Sequence, residues 1–271
     1  MTAVASASVD ALDPVDLVEL NARAALLTRV DRKYLLDEAG VARFLDALGA
    51  GVRALDIDGR RSFGYASTYY DDACLTAFHT AAHRRRRRGK VRSRTYLDSG
   101  DRFLEVKTRR GGVTVKERLA WPCPSERLEG AGLAFARSKL AAAGIEPGAP
   151  LRPVLDVTYC RQTLLLADGR GRVTLDRGLV WTDRRDGARV WAPGLCVVET
   201  KSGARPSPAD AILWRLGQRP AALSKYATGL AVLRPELPRN RWQRVLHDSP
   251  LTRLDRTPQV RASAPPTGES S

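Results

Sequence analysis

The side chains best suited to chemistry in this sequence are basic, and they alternate along short segments. Between Arg84 and Arg94, eight of eleven residues are Arg or Lys, and the second half of the run reads Lys-Val-Arg-Ser-Arg. Successive side chains of a β-strand point to opposite faces, so a strand here would carry its charge on one face. Clustered cations of this kind bind phosphate oxygens and neutralise the charge that develops during phosphoryl transfer.

The same alternation returns in other segments, where a polar face opposes an apolar one. The polar faces are Arg29, Asp31 and Lys33; Phe103, Glu105, Lys107 and Arg109; Lys116 and Arg118; Arg172, Thr174 and Asp176; and Glu199 and Lys201. A sandwich whose charged face meets solvent would also show this pattern. Interspersed amphipathic helices and the excess of positive charge favour closing the sheet. We therefore expect an α+β fold, a closed antiparallel β-barrel with a cationic lumen and helices packed outside.

Few carboxylates share the charged face, namely Asp31, Glu105, Asp176 and Glu199. Phosphoryl transfer needs one or two carboxylates to hold a divalent metal. Glu105-x-Lys107 and Glu199-x-Lys201 each place a carboxylate and an ammonium on one face, as a cross-strand ion pair or as part of a site. The sequence contains no Walker loop, dinucleotide fingerprint, kinase signature or nucleophile triad, so covalent catalysis is not expected.

The remaining patterns place these strands among helices. Apolar spacing predicts a helix capped by Asp37, a second helix from Ser125 to about Ala143, and a helical region from Pro208 past Pro220 to about Leu233. Strands are expected at 29–36, 67–70, 90–97, 102–109, 113–120, 154–166, 171–181 and 195–201. We expect a single domain over residues 13–248, between disordered ends at 1–12 and 249–271.

Composition narrows the class of partner. The net charge of +15 and the pI near 10.3 predict an anionic partner, and 43% apolar residues suffice for a substantial core. The sequence shows no apolar stretch long enough to span a membrane and no signal peptide. Its four cysteines form no CxxC pair and are expected to be small buried side chains in a reducing compartment, so a cytoplasmic location is predicted. Nothing indicates the oligomeric state.

Nine short motifs, in a fixed order, carry a resemblance to a known family. They are Arg29-Val-Asp-Arg-Lys33-Tyr34, Ser67-Thr-Tyr-Tyr-Asp71, Lys90-Val-Arg92-Ser-Arg94-x-Tyr96, Phe103-Leu-Glu105-Val-Lys107, Lys116, Tyr159-x-Arg161, Arg172-Val-Thr-Leu-Asp176, Glu199-Thr-Lys201 and Ser224-Lys225-Tyr226. Over roughly residues 27–232 the chain resembles the catalytic domain of the vacuolar transporter chaperone (VTC) polyphosphate polymerases, which belong to the triphosphate tunnel superfamily.

The resemblance implies a barrel in which the γ-phosphoryl group of ATP is transferred to polyphosphate with Mn²⁺ or Mg²⁺. It implies that the phosphates are bound by Lys33, Lys90, Arg92, Arg94, Lys107, Lys116, Arg161, Arg172, Lys201 and Lys225. Among the site residues, Arg92, Arg94, Lys107 and Glu199 are expected to be catalytic, and Glu199 and Glu105 to hold the metal. ATP and polyphosphate, or another triphosphate, are the expected partners; DNA and a membrane span are not expected.

Two alternatives remain open beside the polymerase. Hydrolytic tunnel enzymes carry Glu-x-Glu-x-Lys on the first strand, whereas this chain has Arg29-x-Asp31-x-Lys33, which favours a polymerase over an inorganic triphosphatase or nucleoside triphosphatase. A non-catalytic binder of polyphosphate, nucleotide or RNA is the other class, which the five arginines 84–88 favour. Aromatic residues for base stacking make up only 6% of the chain, so we interpret this run as a rim that attracts anions.

Overall fold

The computed structural model describes residues 8–23, 30–110, 113–122, 127–147, 150–169, 171–203, 205–239 and 241–254. Twelve strands are found there: β1 (Asp13–Val15), β2 (Val30–Leu36), β3 (Arg53–Leu55), β4 (Phe63–Asp71), β5 (Arg88–Tyr96), β6 (Arg102–Arg110), β7 (Val113–Ala120), β8 (Arg152–Leu165), β9 (Arg172–Asp183), β10 (Arg189–Trp191), β11 (Cys196–Ser202) and β12 (Thr252–Leu254). The helices of these segments are α1 (Leu17–Arg23), α2 (Glu38–Leu48), α3 (Thr76–Ala82), α4 (Gly130–Ala142), α5 (Pro208–Arg215), α6 (Lys225–Leu233) and α7 (Gln243–Asp248).

The main sheet is antiparallel and runs in the order β2-β11-β9-β8-β4-β5-β6-β7. It is strongly curled, because Lys107 on β6 lies 3.3 Å from Asp31 on β2 although five strands separate the two in the sheet. Among the described residues no backbone ladder joins β7 to β2. The sheet is therefore a curled half-barrel whose seam is spanned by side chains, and the expected closed barrel is not seen.

The convex face of the sheet is apolar and carries helices, as the alternation predicts. Phe44 of α2 packs with Val173 and Val198 of the sheet, and Leu140 of α4 packs with Val106. Helix α2 begins where predicted, after Asp37, whose side chain accepts a hydrogen bond from the backbone of Gly40. Helices α2, α4 and α5 thus cover the outside of the half-barrel.

Helix α6 departs from this expectation, because it packs on the concave face. Its residues Tyr226 and Leu230 are buried against Val157 and Trp181, which point inward from β8 and β9. The predicted continuous helical region is also divided here. Helix α5 ends at Arg215, and Gly217 adopts a positive φ of 77°, which favours a helix end. This break lets α6 turn into the half-barrel and fill one end of it with apolar side chains.

The two ends expected to be disordered contribute elements where the structure describes them. Val9 lies in a short 3-10 turn and is buried, and β12 pairs with β10. These two elements lie outside the predicted 13–248 range: Val9 packs with apolar side chains of the sheet, and β12 pairs with the backbone of β10. Residues 1–7 and 255–271 lie outside the described part.

The cysteines only partly match the expectation of burial. Cys196 is buried, whereas Cys74 and Cys160 are exposed, and Cys123 is outside the described residues. Of the helices that the structure describes, none combines the length and the apolar character required to cross a bilayer.

The contact between α6 and the sheet generates a stability prediction. A Cβ on Gly229 would overlap the indole ring of Trp181, which is buried and donates a hydrogen bond to the backbone oxygen of Lys225 at 2.8 Å. We expect Gly229→Ala to destabilise the protein by about 1–3 kcal/mol through overpacking, more than the roughly 1 kcal/mol that alanine gains in a helix. Chemical denaturation would measure the change.

Gly203→Ala is the matched control, because a Cβ there meets no atom within 4 Å. Equal unfolding free energies for the two variants would show that α6 does not pack tightly in the half-barrel.

Candidate active site

The polar half of the concave face collects the predicted site residues. Strand alternation brings Lys33 from β2; Lys90, Arg92 and Arg94 from β5; Glu105 and Lys107 from β6; Lys116 from β7; Arg161 from β8; Arg172 from β9; and Glu199 and Lys201 from β11. Lys225 joins them as the first residue of α6, after Ser224, which caps that helix. The sequence therefore predicted which side chains share a face, and the curl of the half-barrel brings together the strands that carry them.

Glu105 is the centre of one cluster of cations. The Arg92 guanidinium donates to its carboxylate at 2.6 Å, Lys116 Nζ lies 2.5 Å from the other oxygen, and Arg94 Nε lies 3.8 Å away. Burial raises the pKa of Glu105, but Arg92, Arg94 and Lys116 outweigh burial and hold it far below its usual value. Glu105 is thus an ionised anchor that positions three cations.

Asp176 anchors a second cluster. Arg161 donates two hydrogen bonds to its carboxylate, at 2.6 and 2.8 Å, and Lys225 donates a third. Burial raises the pKa of Asp176, but Arg161 and Lys225 lower it well below its usual value. This carboxylate, which the sequence placed on the polar face without a role, fixes the N-terminus of α6 to β9.

Glu199 is the least constrained carboxylate of the site. Its nearest cation is Lys201, 3.6 Å away. Burial raises the pKa of Glu199, and the charges of Lys201, Lys33 and other neighbours lower it well below its usual value. The carboxylate is therefore ionised and faces the concave space beside the lysines.

The two predicted metal ligands fit that role unequally. Glu105 is enclosed by Arg92, Arg94 and Lys116, which leaves it poorly placed to bind a metal as well. Glu199 has the charge and the freedom to do so. No group of three or more His, Cys, Asp or Glu side chains gathers around a common point in the described part of the chain. A divalent cation bound here would take Glu199 together with oxygens of the substrate.

Several lysines of the site donate hydrogen bonds to neutral oxygens, and of these Lys201 also lies 3.6 Å from the Glu199 carboxylate. Lys90 donates to Ser224 Oγ at 2.6 Å, Lys33 to the backbone oxygen of Leu223 at 3.3 Å, and Lys201 to Thr174 Oγ1 at 3.0 Å. Burial lowers the pKa of Lys90 well below its usual value, and the neighbouring cations lower it further. The cations of this face repel one another, and a bound polyanion would relieve that repulsion.

The same balance of burial and charge sets the pKa values of two further lysines. Burial lowers the pKa of Lys201 and of Lys116 to about 8, although Glu199 and Glu105 respectively favour the charged forms. Burial also lowers the pKa of Lys33, with added repulsion from Lys107 and Lys225. Lys116 and Lys201 thus lose their protons near pH 8.

Tyrosines interleaved with the cations were missed as site residues. The Arg161 guanidinium lies 5.3 Å from the ring centre of Tyr65 and 5.4 Å from that of Tyr159, and Arg92 lies 5.7 Å from that of Tyr69. The alternation of Tyr65, Ser67 and Tyr69 on β4 was the feature of the sequence that could have identified these tyrosines. Aromatic faces stabilise cations without neutralising them, so the positive charge remains available to a ligand.

The hydroxyl of Tyr159 is buried and has no hydrogen-bond partner among the described residues. Burial raises its pKa, but Arg161, Arg94 and Lys225 together hold the pKa below the ordinary value of 10. A hydroxyl in this setting is a hydrogen-bond donor suited to an anion.

Two predicted residues lie at the margin of the site. Lys107 is about half exposed, at 48%, and spans the seam to Asp31. Arg172 pairs in register with Lys201 at the end of the sheet away from α6. Arg29 lies outside the described residues.

No curated protein resembles the chain significantly. A candidate adenylate cyclase from Bacillus halodurans is similar in structure, with 14% identity, a TM-score of 0.45, and 74% of this chain and 96% of that chain covered. A candidate adenylate cyclase from Vibrio parahaemolyticus has 12% identity and a TM-score of 0.42, with 75% and 98% covered. Similarities at this level carry no argument about the present chain.

The match to a protein family is more extensive. The model of the VTC domain family matches residues 28–234, about three quarters of the sequence. That range includes every residue of the cationic concave face described above. The resemblance inferred from the ordered motifs is therefore confirmed, and the chain belongs to the VTC domain family.

Proposed function

We propose that the protein transfers the terminal phosphoryl group of ATP to a polyphosphate chain in a metal-dependent reaction. Membership of the VTC domain family supports a phosphotransferase that acts on triphosphates. The observation that carries the proposal is the crowding of the cations: Lys33 and Lys90 are partly buried and Lys201 is buried, all three lie on the concave face, and each donates a hydrogen bond to a neutral oxygen. A chain of phosphates supplies the negative charge that this face lacks.

In the proposed reaction the donor triphosphate lies among Arg92, Arg94 and Lys116, which Glu105 holds in place. An oxygen of the acceptor phosphate forms a bond to the γ-phosphorus, while the bond from that phosphorus to the β–γ bridging oxygen breaks and ADP leaves. The acceptor oxygen is already ionised, so no general base is required. Catalysis then consists of alignment and charge neutralisation by the basic side chains.

Mn²⁺ or Mg²⁺, held by Glu199 and phosphate oxygens, would supply additional neutralisation of the transferred group. Asp176 keeps Arg161 and Lys225 directed toward the same space. Tyr159 adds a donor between these cations. All of these groups bind and orient phosphates, and none has to form a bond to the substrate.

Product analysis tests the proposed function directly. With ATP and Mn²⁺ or Mg²⁺, the purified protein is expected to form ADP and phosphate chains that lengthen with time, which gel electrophoresis resolves. Release of orthophosphate from tripolyphosphate or ATP without chain growth would identify a triphosphatase. Binding of these anions without turnover would identify a non-catalytic binder.

Substitution of Lys90 tests the cationic face. Lys90 contacts Ser224 and has no carboxylate within ion-pair distance among the described residues, so Lys90→Met removes charge without stranding an acid. We expect a loss of about 10²–10³ in the rate of phosphoryl transfer, the range for removal of one charge-stabilising donor. Steady-state kinetics with ATP would measure it.

Lys139→Met is the matched control, since Lys139 pairs with Glu117 on the convex side, at 2.6 Å. Full activity of Lys90→Met, or an equal loss in both variants, would contradict the assignment of the site.

The lowered lysine pKa values predict how binding depends on pH. Lys116 and Lys201, with pKa values of about 8, are charged below pH 8 and lose their protons as the pH rises through it. A bound phosphate chain favours the charged forms and raises both pKa values, so binding takes up protons. The affinity for tripolyphosphate should therefore be highest below pH 8 and fall between pH 8 and 10.

Calorimetric titration at pH 8 in buffers of different ionisation enthalpy would count the protons. Lys201→Met is expected to reduce the uptake, whereas Lys139→Met leaves it unchanged. An affinity that is constant from pH 7 to 10 would refute the proposed crowding of the lysines.

A further inference from the structure

Aromatic rings form a continuous row across the concave face, at the end of the sheet away from α6. The ring centres of Tyr159 on β8 and Tyr65 on β4 are 5.3 Å apart, and those of Tyr65 and Tyr96 on β5 are 5.0 Å apart. Phe103 on β6 continues the row, 5.9 Å from Tyr96 in an edge-to-face contact. These four residues lie on four neighbouring strands, and we call them the aromatic row.

The two rings on β5 and β6 lie outside the apolar core. Tyr65 packs against the apolar cluster that contains Tyr159, whereas Tyr96 and Phe103 belong to none of the apolar clusters formed by the described residues. Both rings are partly exposed on the concave face. A partly open aromatic ring on a polar face is a surface on which a planar ligand can stack.

A guanidinium covers the last ring of the row. The Cζ atom of Arg118 on β7 lies 4.9 Å from the ring centre of Phe103, and Arg118 is exposed. Nucleobases stack both on aromatic side chains and on the planes of guanidinium groups. Tyr96, Phe103 and Arg118 therefore combine the two kinds of surface that bind a base.

The row adjoins the cations that hold the donor triphosphate in the proposed reaction. Phe103 pairs in register with Arg94, and Glu105 follows two residues later on the same face of β6. On β5, Tyr96 lies four residues beyond Arg92. Separations of two to four residues correspond to about 7–13 Å of extended strand. A ribose and the phosphates next to it span an interval of this size.

We propose that Tyr96, Phe103 and Arg118 bind the base of the donor nucleotide by stacking, while its triphosphate lies among the cations around Glu105. The inference rests on the proposed function and adds a base-binding site to it. Stacking uses the face of a base and does not read the hydrogen-bonding edge, so ATP and GTP are expected to bind with similar affinity. Tripolyphosphate has no base and does not make this contact.

The arrangement fits one nucleoside triphosphate better than single-stranded RNA. RNA spreads its charge along the backbone, one negative charge for each nucleotide, whereas a nucleoside triphosphate concentrates its charge on three adjacent phosphates. Arg92, Arg94 and Lys116 converge on the single carboxylate of Glu105. Three cations in so small a volume match the dense charge of a triphosphate.

The test compares the affinities for ATP, GTP and tripolyphosphate in the wild type and in Phe103→Leu. Calorimetric titration is done without a divalent metal, so that binding is measured without turnover. Leucine keeps an apolar side chain and removes the ring. We expect the ATP and GTP affinities to fall by roughly tenfold, as for the loss of one stacked base. The tripolyphosphate affinity should stay within about twofold of wild type, which also shows that the variant is folded.

Phe135→Leu is the matched control. Phe135 lies on the convex helix α4, where Lys139 Nζ is 5.7 Å from its ring centre, so the substitution removes a similar contact between a ring and a cation outside the site. We expect all three affinities to stay at the wild-type level.

A fluorescent base tests stacking in the wild type without any substitution. The triphosphate of 2-aminopurine riboside loses fluorescence when its base stacks on an aromatic ring. We expect quenching on binding, and recovery of the fluorescence when excess GTP displaces the probe.

Three results would overturn the base-binding site: an unchanged ATP affinity in Phe103→Leu, equal losses of ATP and tripolyphosphate affinity in that variant, or binding of the 2-aminopurine nucleotide without quenching. Binding of tripolyphosphate but not of ATP by the wild type would overturn it as well. Failure of the wild type to bind either ligand would instead overturn the proposed function.

Discussion

Repulsion among the cations of the concave face is the constraint to which the rest of the structure responds. Burying a positive charge is costly unless an acid or a hydrogen bond compensates it. The protein compensates some of its cations fully, by placing Glu105 and Asp176 at the centres of two ion-pair clusters. It gives others, such as Lys90, only a neutral oxygen among the described residues. The difference separates side chains held rigidly from those whose charge is left for a ligand.

Helix α6 contributes to this arrangement because it places apolar side chains and the cation Lys225 together on the concave face. Tyr226 stacks on Tyr69 with ring centres 5.2 Å apart, and both rings border the polar half of the concave face. Apolar walls reduce the local dielectric, so the charges beside them interact more strongly with a bound anion than they would in open solvent. Lys225 is positioned by the same helix. The packing of α6 therefore contributes both to the core and to the electrostatics of the site.

The arginines of the central site are held rigidly. Arg161 is fixed by two hydrogen bonds to Asp176, and Arg92 by a short ion pair with Glu105. Such fixed guanidinium groups suit the alignment of a triphosphate for in-line transfer.

The alternation of polar and apolar residues along single strands was enough to predict which side chains share a face of the sheet. Two-residue periodicity assigned Lys90, Arg92 and Arg94 to one face and Val91 to the other, because the side chains of an extended backbone have no other choice. The ordered motifs identified the family. The tertiary structure alone decided which acids pair with which bases, because the partners lie on different strands: Glu105 took Arg92 and Lys116, leaving Lys107 to Asp31 across the seam. It also decided the inward turn of α6, since that turn depends on how the sheet curls, and curvature is set by packing that no single segment encodes.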